Sequence, residues 1–205
     1  MRISLTDAGK RFNREWIFRH VDLSFQSPLA YAITGPNGSG KSTLLQFIAG
    51  ALMPSEGSIN YYSDRNESIQ TIYPLISIAA PYLEIIEEMT AVEFLHFHQK
   101  FKPFINGISI QEILEKAGLK ESSNKQIRYY SSGMKQRIKL AQAFFTETPV
   151  LLLDEPTTNL DADGISFYAD LIRDYCRNRL VIVGSNEPLE YTFCKEEINM
   201  TSLKK

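Results

Sequence analysis

Ile3 and Leu5 alternate with polar neighbours, as do Val21, Leu23 and Phe25, and a period of two predicts half-buried antiparallel strands. Leu29-Ala30-Tyr31-Ala32-Ile33 is apolar throughout, as expected of a strand buried on both faces. It runs into Thr34-Gly35-Pro36-Asn37-Gly38. Beyond that turn, Leu44, Leu45, Phe47, Ile48 and Leu52 recur at helical spacing, which predicts a helix ended by Pro54. From Thr90 to about Thr146 the pattern is mainly helical, with Val92, Phe94 and Leu95 early and Ile138, Leu140 and Phe144 late. Two short apolar runs follow, Val150-Leu151-Leu152-Leu153 and Leu180-Val181-Ile182-Val183, separated by a helical stretch around Ile165 to Cys176. That is the βαβ rhythm of a parallel sheet. The expected fold class is α/β with a mainly parallel sheet, an antiparallel N-terminal flank and a helical subdomain inserted at about residues 90–146. All of it is read as one domain over residues 1–205.

Composition narrows the classes of function. A chain of 205 residues with 43% hydrophobic residues can bury one sizeable core. The formal charge of -2 lacks the basic excess of a nucleic-acid footprint, so no nucleic-acid partner is expected. No window approaches the ~20 apolar residues that cross a bilayer. The start, Met1-Arg2-Ile3-Ser4-Leu5-Thr6-Asp7, carries no signal-peptide core. Cys176 and Cys194 read as thiols of a reducing compartment, with a disulfide between them as the alternative. A cytoplasmic protein is expected, reaching a membrane only through a partner. His96 and His98 lie two apart on a predicted helix and point to different sides, so they make no metal pair. Together with His20 they are read as structural.

Gly35-Pro36-Asn37-Gly38-Ser39-Gly40-Lys41-Ser42-Thr43 satisfies G-x-x-x-x-G-K-[ST] between a buried strand and a helix. Glycines let backbone N–H groups turn inward around phosphate oxygens, and the helix N-terminus adds its positive dipole end. Lys41 places a full charge near the β/γ-phosphates, and Ser42 offers a hydroxyl to Mg²⁺, which prefers hard oxygen ligands. Asp154-Glu155 directly follows the apolar strand from Val150. Ligands of open α/β sheets bind at the carboxyl ends of strands. Asp154 is therefore the second Mg²⁺ candidate and Glu155 the candidate general base for an attacking water.

Tyr130-Ser131-Ser132-Gly133-Met134-Lys135-Gln136-Arg137 resembles the signature L-S-G-G-Q-x-Q-R of the ABC ATPases, with Ser132 in place of the first glycine and Met134 in place of the glutamine. A serine cap on the following helix is the other reading of Ser131 or Ser132. The order of motifs decides: Pro156-Thr157-Thr158-Asn159-Leu160-Asp161 resembles the family's D-loop, with Leu160-Asp161 matching well. Ala49 to Gly57 resembles its usual continuation after the phosphate-loop helix. The likeness extends from the first strands to about Pro188. It implies an ATP-binding and ATP-hydrolysing subunit of an ABC transporter, with ATP and Mg²⁺ as cofactors and a permease in the membrane as partner. It also implies a head-to-tail dimer with a second ABC ATPase subunit, a second copy of this chain being the expected one. There Ser131, Ser132, Gly133 and Met134 of one subunit close on the γ-phosphate held by the other. Phe12 stands where the family presents an aromatic to adenine, with Trp16 as second candidate and plain core packing as the alternative.

Two family residues are missing. The stretch Ala79-Ala80-Pro81-Tyr82-Leu83-Glu84 has no glutamine, leaving Glu84 as its substitute, and Asn186 occupies the place of the switch histidine. An asparagine amide can donate to the γ-phosphate but cannot change protonation state near neutral pH, so Asn186 joins Glu155 as a candidate catalytic residue. The compact length and the Asn186-Glu187-Pro188-Leu189 stretch resemble small exporter subunits, including the haem-exporter type. Two alternatives stand beside this reading. One is a soluble ABC ATPase acting on nucleic acid or ribosomes, although the paired ATPase domains and coiled coils of those proteins are not seen. The other is a weakly catalytic regulatory subunit, which Asn186 and the missing glutamine would suit.

Overall fold

The structure, a computed structural model, describes residues 1–203. In chain order its elements are β1 (Arg2–Phe12), β2 (Glu15–Gln26), β3 (Ala30–Thr34), α1 (Lys41–Ile48), β4 (Glu56–Tyr62) and β5 (Ile76–Ala79). Then come α2 (Ala91–Gln99), α3 (Ile110–Lys116), α4 (Ser132–Phe145), β6 (Val150–Asp154), α5 (Ala162–Tyr175), β7 (Leu180–Gly184) and β8 (Glu196–Asn199). The chain forms two compact units. The first takes residues 1–76, 149–155 and those from 178 onward; the second takes 77–148 and 156–177.

The first unit holds two sheets. In one, β1 lies between β2 and β4 with both pairings antiparallel. Its alternation matches the sequence: Ile3 and Leu5 are buried between exposed or half-buried neighbours. In the other, β6, β7, β3 and β8 lie side by side, all parallel. Every residue of β6 and β7 is buried, which is why both read as unbroken apolar runs. Helix α1 packs on β6 and β7, and its Phe47 meets Phe18 of β2 edge to face, ring centres 5.4 Å apart. Both rings are fully buried, so truncating Phe47 to Ala should cost on the order of 3–5 kcal/mol.

Helix α1 is shorter than the spacing predicts. It stops at Ile48, well before Pro54. Gly50 adopts a φ of 73°; its N–H donates to the Phe47 carbonyl and that of Ala51 to the Gln46 carbonyl. That crossed pair satisfies the last carbonyls and ends the helix, while Leu52 lies beyond it. Strand β8 goes unannounced in the sequence. Glu196-Glu197-Ile198-Asn199 is polar and mostly exposed, yet it pairs with β3 from Tyr31 to Thr34, and a polar face is how an edge strand avoids further pairing.

In the second unit α4 packs on α2, α3 and α5. Helices α2 and α3 each start with a reciprocal cap, Thr90 with Glu93 and Ser109 with Glu112. The unit contains the 90–146 stretch and also includes α5. His98 on α2 has a packing role. The Gln142 amide lies 2.9 Å from its Nδ1 and the Thr146 hydroxyl 2.9 Å from its Nε2. Because the Thr146 hydroxyl donates to the Gln142 carbonyl, it accepts from Nε2–H, and Nδ1 accepts from the amide. That arrangement requires neutral imidazole.

Burial first, and the Lys102 charge second, push His98 down to about 4. A depressed folded pKa contributes stability above the unfolded value of about 6.5 and loses it as pH falls toward 4. Between pH 7 and pH 4.5 the wild type should therefore lose roughly 1–2 kcal/mol more than His98→Gln, allowing for solvent screening of a half-exposed ring. Urea unfolding at the two pH values measures this. Equal losses in both proteins would show that the ring is not held neutral.

Candidate functional site

Strand β3 ends at Thr34, and the next six residues turn the chain into the N-terminus of α1. Gly40 shows why this turn needs glycine. Its φ is 107°, and a Cβ there would lie 2.3 Å from Ile17 Cγ2, so a side chain meets both strain and a clash. The loop encloses a cavity of about 220 Å³ lined by Ile17, Asn37, Gly38, Gly40, Lys41, Ser42, Thr43 and Glu155. Lys41 is 5% exposed, and its Nζ donates to the Gly35 carbonyl at 2.8 Å. The cavity thus lies at a helix N-terminus beside the buried Lys41 ammonium, two elements of an anion site. Gly35, Pro36 and Ser39 form the loop beneath it. The Ser39 N–H donates to the Pro36 carbonyl at 2.9 Å.

The two acids stand at the end of β6. Asp154 is 1% exposed, and its Oδ1 has no hydrogen-bond partner. Burial pushes its carboxyl up to about 6, opposed by a hydrogen bond from Ser42, with the Glu155 charge adding to the rise. A buried carboxylate oxygen without a partner is costly unless a cation meets it. Ser42 and Asp154 together offer a hydroxyl and a carboxylate, hard oxygen donors that suit Mg²⁺. Glu155 lines the cavity with a φ of 41°. A glutamate in that left-handed conformation is strained by roughly 1–3 kcal/mol, a kind of cost concentrated at functional sites. Its N–H is held by the Gly184 carbonyl at 2.9 Å.

Asn186 follows β7 and is tied to the loop on both sides. Its Oδ1 accepts from the Gly35 N–H at 3.2 Å, and its Nδ2 donates to Asn37 Oδ1 at 3.0 Å. In the second unit, Ser131 is the N-cap of α4 and accepts from the Met134 N–H at 3.2 Å. The capping role foreseen for this serine is therefore real. Ser131 and Ser132 are nonetheless exposed, with Gly133 and Met134 half-buried behind them. Asp161 caps α5 by accepting from the Gly164 N–H at 2.9 Å and pairs with Arg137. Those two bonds, the first leading, hold its carboxyl below the usual range.

The sequence profile of ABC transporters matches residues 18–158. This chain belongs to the ABC transporter family. It is 27% identical to the ABC transporter ATP-binding protein YybJ of Bacillus subtilis, over 90% of this chain and 85% of that protein. It is 30% identical to the cytochrome c biogenesis ATP-binding export protein CcmA of Rhizobium meliloti, over 95% of this chain and 96% of that one. In fold it is similar to the ATP-binding cassette MJ0796, solved as a dimer bound to ADP and Pi, with a TM-score of 0.80 at 24% identity over 96% and 93% of the two chains. As an ABC ATP-binding subunit the chain is an ATPase with a P-loop NTPase core.

Beside that family site, four residues either stand in surroundings the sequence does not report or were not foreseen by it. Phe12 does not line the phosphate cavity. It lies 46% exposed at the end of β1, with Lys10 Nζ 5.2 Å above its ring, which removes the core-packing alternative. Trp16 is occupied: Arg11 and Arg19 lie over its ring, and a Cβ on Gly9 would meet it at 2.9 Å. Ile17 reaches the cavity through a break in register, since Lys10 pairs with Phe18 and Arg11 with Trp16. Met200 is fully buried beneath the loop, its Cε 3.2 Å from where a Gly40 Cβ would stand. Neither belongs to a motif.

Proposed function

We propose that this ATPase is the motor subunit of a membrane exporter, working as one half of a dimer with a second ABC subunit, its own copy in the simplest case. The observation that carries the reading is the end of β6. It sets Asp154, with a buried oxygen lacking a partner, against Ser42 of the phosphate-loop cavity, and the strained Glu155 in the cavity wall itself. In the reaction, the oxygen of a water bonds to the γ-phosphorus and the bond to the β–γ bridging oxygen breaks. The water's proton passes to the Glu155 carboxylate, giving ADP and phosphate. The loop N–H groups and Lys41 hold the phosphates and oppose their charge. Ser42 and Asp154 would hold Mg²⁺, which neutralises phosphate charge when bound.

Several features support the remaining parts. The exposed, Ser131-capped N-terminus of α4 offers a second anion site for the partner's γ-phosphate. In the second unit, Pro81, Leu83, Glu84, Ile85, Glu87, Glu88, Lys135 and Lys139 line a groove of about 520 Å³, the place for a short helix of the permease. Glu84, the candidate substitute for the missing glutamine, lies in it. Among the described residues no helix is long and apolar enough to cross a membrane, which suits a subunit held at the inner face by that permease. The similarity to CcmA over nearly its whole length supports an exporter of the haem-exporter type.

Calorimetric titration with MgATP tests the reading at its base. The wild type should bind, and Lys41→Ala should bind roughly 10–100-fold more weakly, since a charge-assisted contact contributes ~1.5–3 kcal/mol. Equal affinity would remove the phosphate-loop assignment.

A further inference from the structure

Met200 lies outside every motif, yet strand register sets it beside the phosphate loop. Strand β8 pairs in parallel with β3 as far as Thr34 opposite Asn199, and the Thr34 hydroxyl donates to Glu197 Oε1 at 2.7 Å. One residue further on, Gly35 leaves one strand and Met200 the other. There the chain turns into a short 3₁₀ segment, Met200–Leu203, that packs on β2. Between that segment and the loop the Met200 side chain is fully buried.

The side chain reaches from one end of the loop to the other. A Cβ on Gly35 would lie 3.1 Å from Met200 Cβ, and a Cβ on Gly40 would lie 3.2 Å from Met200 Cε. These are the loop's first and last glycines, at φ of 138° and 107°. Without a Cβ such backbone has little stiffness of its own, so its shape is set by what packs against it. Ile17 meets Gly40 from β2 and also lines the cavity. Met200 does not line the cavity and meets the loop from beneath. Cutting back a buried side chain leaves a void into which its surroundings partly relax. Here the surroundings are the backbone that must present N–H groups to phosphate.

We infer that Met200 is a positioning residue for the nucleotide: it supports the phosphate loop at Gly35 and Gly40 and so fixes the loop shape that MgATP needs. It touches no nucleotide itself. The inference rests on the phosphate-loop assignment of the proposed function.

Calorimetric titration with MgATP compares wild type with Met200→Ala, Met200→Val, Met200→Leu, Ile3→Ala and Lys41→Ala. Affinity is read per binding site, so unfolded protein does not enter it. Valine keeps bulk beside Gly35 but has no atom to reach Gly40, whereas leucine nearly conserves the volume. Misalignment by about 1 Å can cost 10²-fold, and a partly relaxed loop should bind MgATP roughly 10-fold more weakly in Met200→Ala. Met200→Val should fall between that and wild type, and Met200→Leu should stay within about threefold of wild type. Ile3 is equally buried, on β1 between Phe25 and Tyr61. Ile3→Ala should lower the urea midpoint, as Met200→Ala does, but leave MgATP affinity within about twofold. Affinity within twofold of wild type in both Met200→Ala and Met200→Val would overturn the inference. So would a Met200→Leu or an Ile3→Ala protein as weak as Met200→Ala, since restored bulk would then not help or any lost core contact would suffice. Should Met200→Ala not fold, Met200→Val decides by the same twofold criterion. Wild-type affinity in Lys41→Ala would instead remove the phosphate-loop assignment.

Discussion

Glu155→Gln should lower steady-state phosphate release by ~10²–10⁴-fold, the usual range for removing a positioned general base, while leaving MgATP binding intact. The amide matches the carboxylate in shape but cannot accept the water's proton. Binding should survive because the cavity's loop, its helix N-terminus and Lys41 are untouched. ATP should then persist in the site, and with it the dimer that it bridges. Size-exclusion with light scattering should show Glu155→Gln as a dimer at saturating MgATP and a monomer without it. Adding Ser131→Arg should abolish the dimer, because a long cation replaces a small exposed cap. Loss of the cap alone would cost the helix only about 1 kcal/mol. A melting curve close to that of Glu155→Gln would therefore show that the interface failed and not the fold. A Glu155→Gln protein that stays monomeric with ATP bound would exclude self-pairing and point to a different ABC subunit as the partner.

The parts of this site that the sequence announces are those whose chemistry is local in the chain. The phosphate loop is nine consecutive residues, six of which line the cavity. Asp154 and Glu155 are placed by the end of an apolar run, so their position follows from strand periodicity alone. What the sequence does not announce depends on register or on distant partners. Ile17 reaches the cavity because β1 and β2 slip by one residue between Arg11–Trp16 and Lys10–Phe18. No alternation of apolar residues reports such a slip. Gln136 stands in a recognisable motif, but its partner is the Pro156 carbonyl, twenty residues away. The end of α1 could have been read from Gly50, a glycine just past the last buried position. The apolar Leu52 hid it by continuing the spacing. Strand β8 has too little apolar character for any pattern to find; parallel pairing to β3 makes it a strand.

Asn186→Ala is expected to lower turnover by ~10²–10³-fold, the range for one lost transition-state donor. One task of this residue is seen in the geometry and a second is proposed. Its Oδ1 accepts from the Gly35 N–H and one amide hydrogen goes to Asn37 Oδ1, so it braces the loop that forms the cavity. An asparagine amide carries two hydrogens; in the proposed reading the second goes to an oxygen of the γ-phosphate, with Asn37, and not Asn186, lining the cavity. Asn37→Ala separates the tasks. It removes the amide-to-amide contact but leaves Asn186 its hold on Gly35 and its donor hydrogens. If donation to the phosphate dominates, Asn37→Ala should fall less than tenfold while Asn186→Ala falls at least a hundredfold, both read as phosphate release per bound MgATP. If bracing dominates, the two should fall together and MgATP affinity should weaken in both. Turnover of Asn186→Ala within twofold of wild type, a change worth under ~0.5 kcal/mol, would show the position to be idle. Catalysis would then rest on Glu155 and the Ser42–Asp154 pair alone. No neutral-pH titration of this position should appear in the rate profile either way, because an amide, unlike a histidine, holds its protons throughout that range.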